Sequence, residues 1–250
     1  MLLAAAFGLA VSGNALAGPW EGGPPAVCVD AAPAARCAPI VEARFDAGFS
    51  PTALDKSKRT PVSLRTTMEF KTSDGSQLPA LHQFEIDLDR HARLSLKDVP
   101  VCRPGNIDEP PIQQGCKEAL VGAGKMVTDI RLPESTIPPV HSYVTVYNAG
   151  VRNGARTLIA VTNITVPTPT EVVITIVVER DHGRYGLKLV GSAPKIAGGA
   201  GSITRLGLRF HKEALSATCS DGRLQTGFGA TFIEGTHLSG SVLRTCTPSH

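Results

Sequence analysis

Glu85, Asp87 and Asp89 alternate with Phe84, Ile86 and Leu88, so on an extended chain the three carboxylates would stand on one face and the apolar residues on the other. Followed by Arg90 and His91, that row has the oxygen ligands a hard cation such as calcium takes. A calcium site also draws on loop carbonyls and a Gly-bearing turn, which this stretch lacks. The plainer reading is a solvated outer face opposite core residues, and no metal ligand is assigned. Asp87 and Asp89 are also the acid and base candidates for hydrolysis, together with Asp181 and His182 of the Asp181-His182-Gly183 turn. A retaining glycosidase needs two carboxyls roughly 5 Å apart and an inverting one a wider gap. Residues two apart on a strand lie about 7 Å apart along the chain, so Asp87 and Asp89 fit that chemistry by spacing alone.

Other chemistry-bearing patterns are incomplete. The histidines are His82, His91, His141, His182, His211, His237 and His250, and none is paired at a metal-ligand spacing such as HxH or HExxH. There is no GxSxG elbow for a serine nucleophile. Gly122-Ala123-Gly124-Lys125 resembles the end of a phosphate loop, but Met126 stands where Ser or Thr should and a strand follows in place of a helix. It reads as a turn, as does Gly198-Gly199-Ala200-Gly201. Asn163-Ile164-Thr165 is a glycosylation sequon. No catalytic residue and no cofactor is assigned.

The cysteines fall in close pairs: Cys28 with Cys37, Cys102 with Cys116, and Cys219 with Cys246. Local pairing is expected, because short loops close at low entropic cost. An even count behind an export-like start points to disulfides formed outside the cytosol. That start is the apolar run from Met1 to Val11 followed by Ala15-Leu16-Ala17, which reads as a signal peptide whose cleavage leaves Gly18 first. The expected organisation is therefore a signal peptide over 1–17, a Pro/Gly-rich arm over 18–38 and a single domain over 39–250. No later apolar stretch reaches membrane-spanning length. A formal net charge of +3, spread along the chain without a Lys/Arg block, excludes a nucleic-acid partner. Aromatic residues make up only 5% of the chain, which leaves few stacking platforms for sugars or bases.

The elements that must position these residues are strands. Val62 to Phe70 alternates apolar or neutral with polar residues, and Leu81 to Leu88 repeats the pattern after the turn residues Asp74-Gly75. The two runs are expected to be sheet neighbours. Further strand runs are Met126–Leu132, Val140–Tyr147, 156–166, 171–179, 185–190, 202–210, 227–233 and 238–246, most of them separated by Gly, Pro or Asn breakers. Val172 to Val178 is apolar on both faces, as a central strand covered on both sides would be. Ile112 to Leu120 is the one short helix expected, fastened by Cys102–Cys116. The class is all-β: an antiparallel β-sandwich with one short helix near Cys116 and an extended N-terminal arm.

Phe49 to Lys58, Asp74 to Leu81, Phe84 to His91, Val99 to Cys102 and Cys116 to Gly124 together resemble a family of uncharacterised exported proteins of high-GC Gram-positive bacteria. The resemblance is most specific over 43–132. It implies export, a β-rich body and the Cys102/Cys116 pair, and no activity comes with it. The expected function is a non-catalytic binding or structural module, secreted or held in the cell envelope, with a ligand there as its partner. The alternative is an exported hydrolase acting on polysaccharide or ester substrates.

Overall fold

The computed structural model describes residues 40–103, 115–133 and 135–249. The Cys28/Cys37 pair, the signal peptide and the whole arm lie outside these residues. The strands are β1 Val41–Ser50, β2 Ala53–Asp55, β3 Thr60–Pro61, β4 Ser63–Thr72, β5 Leu81–Asp89, β6 Ala92–Leu94, β7 Leu120–Leu132, β8 Ser135–Thr136 and β9 Val140–Arg152. They continue with β10 Ala155–Ile164, β11 Thr170–Arg180, β12 Tyr185–Ser192, β13 Gly201–Phe210, β14 Leu215–Ala217, β15 Arg223–Phe232, β16 His237–Thr245 and β17 Thr247–Ser249. The expected all-β antiparallel class holds, and its layers are opposite walls of one curled, nearly barrel-like sheet.

That sheet has twelve strands in the order β1-β4-β13-β7-β9-β10-β11-β12-β5-β15-β16, with β8 attached only to β7. Removing β8 from the twelve leaves eleven in the circuit, and every neighbouring pair along it is antiparallel. With an odd number of alternating strands, the first and last must run in the same direction. Closure between β1 and β16 is therefore parallel, and among the described residues a ladder forms only at its far end, where β17 pairs with β2. Along the rest of the seam, Arg244 Nε donates to the Ala47 carbonyl at 2.8 Å and Arg244 Nη2 pairs with Asp46. Inside the wall, Phe45 of β1 stacks on Phe228 of β15 at 4.8 Å between ring centroids. Cys246, between β16 and β17, is bonded to Cys219, whose backbone N–H donates to Asp55 at the end of β2. The disulfide thus bolts the one zipped part of the seam.

Strand periodicity sorts the two faces. On β4, Leu64, Thr66, Met68, Phe70 and Thr72 are buried, and the residues between them point outward. On β5 and β15 the inward rows are in register, Leu88 with Thr226, Ile86 with Phe228 and Phe84 with Ala230. Phe84, Phe210 and Phe232 are among the largest fully buried side chains, and each contributes roughly 1.5–3 kcal/mol by leaving water. Outward positions carry ion pairs such as Lys71–Glu42 and Arg205–Glu69. An apolar interior behind a charged wall is the reverse of the apolar-out pattern of membrane-spanning barrels. Among the described residues no helix is long and apolar enough to cross a membrane.

Several expectations change. β4 and β5 are not neighbours: β4 lies between β1 and β13, and β5 between β12 and β15. The intervening segment is held to other strands, as Leu78 and Ala80 accept hydrogen bonds from Ser202 and Ile233. β1 itself, with Phe45, Ala47 and Phe49 on its inner face, is a strand that the periodicity reading passed over. Gly122 and Gly124 are strand interior, not a turn: an added Cβ at either would overlap the β13 backbone, so glycine is what allows β7 to approach so closely. Gly198 and Gly199 do form a turn, both with positive φ. Of the helix expected over Ile112 to Leu120, residues 112–114 lie outside the described residues; Gly115 is helical, Lys117–Ala119 forms a 3-10 turn, and β7 begins at Leu120. β11 is central but covered on one side only, with Val173 38% exposed. β10 is covered on both faces over Thr157 to Thr162, where Cys102–Cys116 and Ala119 pack over Tyr147, Ile159 and Val161.

Two glycines should separate by this packing. Phe84 lies where a Cβ on Gly191 would be, whereas nothing lies within 4 Å of one on Gly48. Gly191→Ala should cost about 1–3 kcal/mol through overpacking, and Gly48→Ala should be neutral or gain up to ~1 kcal/mol. Denaturant melts of both variants against the parent protein check the contrast.

Candidate functional site

The sequence candidates gather, in part, on the outer wall where β12, β5, β15 and β16 lie side by side. Register places Lys188 of β12 beside Asp87 of β5, Gly227 of β15 and Ser241 of β16 in one row, with Val190, Glu85, Gly229 and Ser239 in the next. The two glycines let their neighbours lie flat. A Cβ on Gly227 would meet Asp87 Oδ2 at 2.7 Å and the Tyr185 hydroxyl at 2.8 Å, and one on Gly229 would meet Glu85 at 3.1 Å. Tyr185 thus roofs over Asp87, held by Gln225 Nε2, which donates to its hydroxyl at 3.2 Å and to Ser241 at 2.8 Å.

The cation that the carboxylate row could attract is supplied by the protein. Lys188 Nζ lies 2.7 Å from Glu85 Oε2 and 3.9 Å from Asp87 Oδ1. Its hydrogen bond to Glu85, with the nearby Asp87 charge, raises the ammonium above the usual lysine range. Burial alone would raise the Glu85 carboxyl, but hydrogen bonds from Lys188 and Gln83 and the Lys188 charge bring it below its ordinary value. Asp87 goes the other way. Burial raises its carboxyl, Lys188 at its longer distance offsets only part, and the charges of Glu85 and Asp181 add to the rise. Asp87 Oδ1 is buried with no hydrogen-bond partner. Burial likewise raises the Tyr185 phenol.

The remaining candidates are placed differently. Asp89 does not extend the outer row: its Oδ1 accepts from the His91 N–H and its Oδ2 from the Gln225 N–H, each at 2.8 Å. It is a buried anchor of the β5 turn to β15. Asp181 Oδ1 accepts from the Gly183 N–H at 2.9 Å in an exposed turn, where His182 is also exposed. The structure therefore joins Asp87 to Glu85, Lys188 and Tyr185, not to Asp89 or His182. Tyr185, Lys188 and Gln225 were missed by sequence reasoning. Period two on β12 puts Lys188 on the outer face, but only strand order shows that this face adjoins β5. Among the described residues, no three His, Cys, Asp or Glu are grouped as metal ligands. Cys102–Cys116 and Cys219–Cys246 are disulfides, which suit an oxidising, extracytoplasmic environment.

No family model matches this chain, and no curated protein matches it either.

The two aspartates differ in energetic role. A carboxyl raised in the folded state binds its proton more tightly there than in the unfolded chain. Its contribution to stability is complete below the ordinary aspartate value of 3.8 and is lost as pH rises through the raised value. Asp87→Asn should therefore gain stability over the parent as pH rises from 3 to 7, and equal or exceed it at pH 7. Asp89→Ala leaves two backbone donors without an acceptor and should cost about 2–4 kcal/mol. Urea melts of both variants at the two pH values measure this.

Proposed function

We propose that the chain is an exported, non-catalytic β module, sent out by a cleaved signal peptide to act as a binding or structural element in the cell envelope or extracellular space. It belongs, in this reading, with the exported proteins of high-GC Gram-positive bacteria that its sequence resembles. Export is supported by two disulfides, Cys102–Cys116 and Cys219–Cys246. The observation that carries the non-catalytic reading is that Asp89 and Asp181, two of the four acid and base candidates, have structural occupations, as has the neighbouring Glu85. Glu85 is neutralised by Lys188, Asp89 holds two backbone N–H groups and Asp181 holds a turn.

The hydrolase alternative keeps one specific support. Asp87 is a raised carboxyl on the same strand face as an ionised Glu85, about 7 Å along the strand, and such a pair resembles the acid and base of an inverting glycosidase. A panel of polysaccharide and ester substrates offered to the oxidised, purified protein separates the readings. The module reading expects no turnover above background. Turnover that disappears in Asp87→Asn while the fold stays intact would establish the hydrolase.

A further inference from the structure

Arginines gather where β5 turns into β6, beside the small sheet in which β14 lies between β3 and β6. Register places Ser216 of β14 between Pro61 and Arg93, and the Thr218 N–H donates to the His91 carbonyl. Arg59, which leads into β3, donates from Nη1 to that same carbonyl at 3.1 Å. Arg93 donates from Nη1 to the Arg90 and Ala92 carbonyls, each at 3.2 Å. A Cβ on Gly186 of β12 would meet this nitrogen at 2.8 Å, so glycine there leaves room for the Arg93 guanidinium. Arg90 donates from Nε to the His91 ring at 3.3 Å. All three arginines are exposed.

The carbonyls fix the Arg59 and Arg93 guanidiniums but leave one edge of each free. Nε and Nη2 of both have no acceptor among the described residues, and these two nitrogens are the parallel fork that takes an oxyanion bidentately. Elsewhere on the wall arginines are paired, as in Arg205–Glu69, Arg131–Asp129 and Arg244–Asp46. Here, among the described residues, no carboxylate forms an ion pair with Arg59, Arg90 or Arg93. Asp89 spends both oxygens on backbone N–H groups, and Asp55 holds the Ser57 and Lys58 N–H groups. Burial, and then the charge of Arg93, bring the Arg59 guanidinium below the usual arginine range. Like charges drawn together without a counter-charge repel, and an arriving anion removes that repulsion.

We propose that Arg59 and Arg93 form a phosphate site, their free Nε/Nη2 edges binding a phosphate dianion that is either free or carried by an organic monoester. A dianion matches two unpaired guanidinium charges, which a single carboxylate does not. One cluster on one turn is not the extended basic stripe that a nucleic-acid backbone needs. The inference goes beyond the module reading, which leaves the ligand open, and it holds whether or not the wall around Asp87 turns over a substrate.

Inorganic phosphate and glycerol phosphate, each titrated at constant ionic strength and pH about 7, above the second phosphate pKa of about 6, are followed through the arginine Nε–H resonances of the labelled protein. Acetate is the control. Phosphate should saturate one site, shift the Arg59 and Arg93 resonances, and bind about tenfold tighter than acetate. The tighter of the two phosphates shows whether the group arrives free or as an ester. Arg59→Gln and Arg93→Gln should each weaken phosphate about tenfold, the order expected for hydrogen bonds to a charged group. Arg44→Gln, at an exposed position of β1, should leave it unchanged. Arg93→Lys keeps the charge and loses the fork, so its affinity should fall between the parent and Arg93→Gln; thermal melts check that each variant is folded. The assignment is overturned by absence of saturation at tens of millimolar phosphate, by acetate binding as tightly, or by unchanged affinity in the folded arginine variants.

Discussion

An odd circuit of antiparallel strands cannot close on itself in the way its other neighbours pair, because its two ends run in the same direction. Eleven strands follow one another here with antiparallel ladders throughout, and the join between β1 and β16 inherits the mismatch. A parallel ladder needs slanted, evenly spaced hydrogen bonds and is slightly less stable per residue than an antiparallel one. Among the described residues a parallel ladder forms only over the short β2–β17 pair. The chain then reinforces that stub with the Cys219–Cys246 bridge, which limits how far the ends can separate in the unfolded chain. Above the stub, the seam depends on Arg244 and on the stacking of Phe45 against Phe228.

The closed wall also divides the chemistry. Apolar side chains converge inside, so polar groups that could act on a ligand must stand on the outer face, where they meet solvent or each other. Around Asp87 they meet each other: Lys188, Glu85, Tyr185 and Gln225 connect β12, β5 and β15. The glycines opposite Tyr185 and Glu85 let these side chains lie on the sheet, an arrangement that rigidifies the wall. Asp87 is the member that fits least well, with one carboxylate oxygen buried and unbonded. A group kept at a stability cost is the place to look for function, so it is the centre of the hydrolase alternative.

Strand content was legible in the sequence because period-two alternation is local. Val62 to Phe70 and Leu81 to Leu88 could be read with only their own residues, as could the Cys102/Cys116 and Cys219/Cys246 pairs. What could not be read was long-range. Nothing within β4 or β5 says that they lie in different walls, since alternation marks which face is buried and not which strand adjoins it. Gly122 and Gly124 misled for the same reason: a glycine demanded by the close approach of β13 has the same local signature as a glycine in a turn. Of the candidate site, Glu85 and Asp87 were visible as a shared face. The roles of Lys188 and Tyr185 depend on the β12–β5 pairing, and Asp89's depends on its reach to the Gln225 backbone.

Native-state hydrogen exchange tests the parallel seam most directly. Because the Ala47 carbonyl faces Arg244, and N–H and C=O of one residue point to the same side in an antiparallel strand, the amides of Phe45 and Ala47 face the seam. They should exchange through local openings, orders of magnitude faster than the amides of Leu206 and Leu208 in β13, which is paired on both sides. Protection of Phe45 and Ala47 equal to that of β13 would mean that β1 and β16 are joined by a continuous ladder, and the seam described here would not exist.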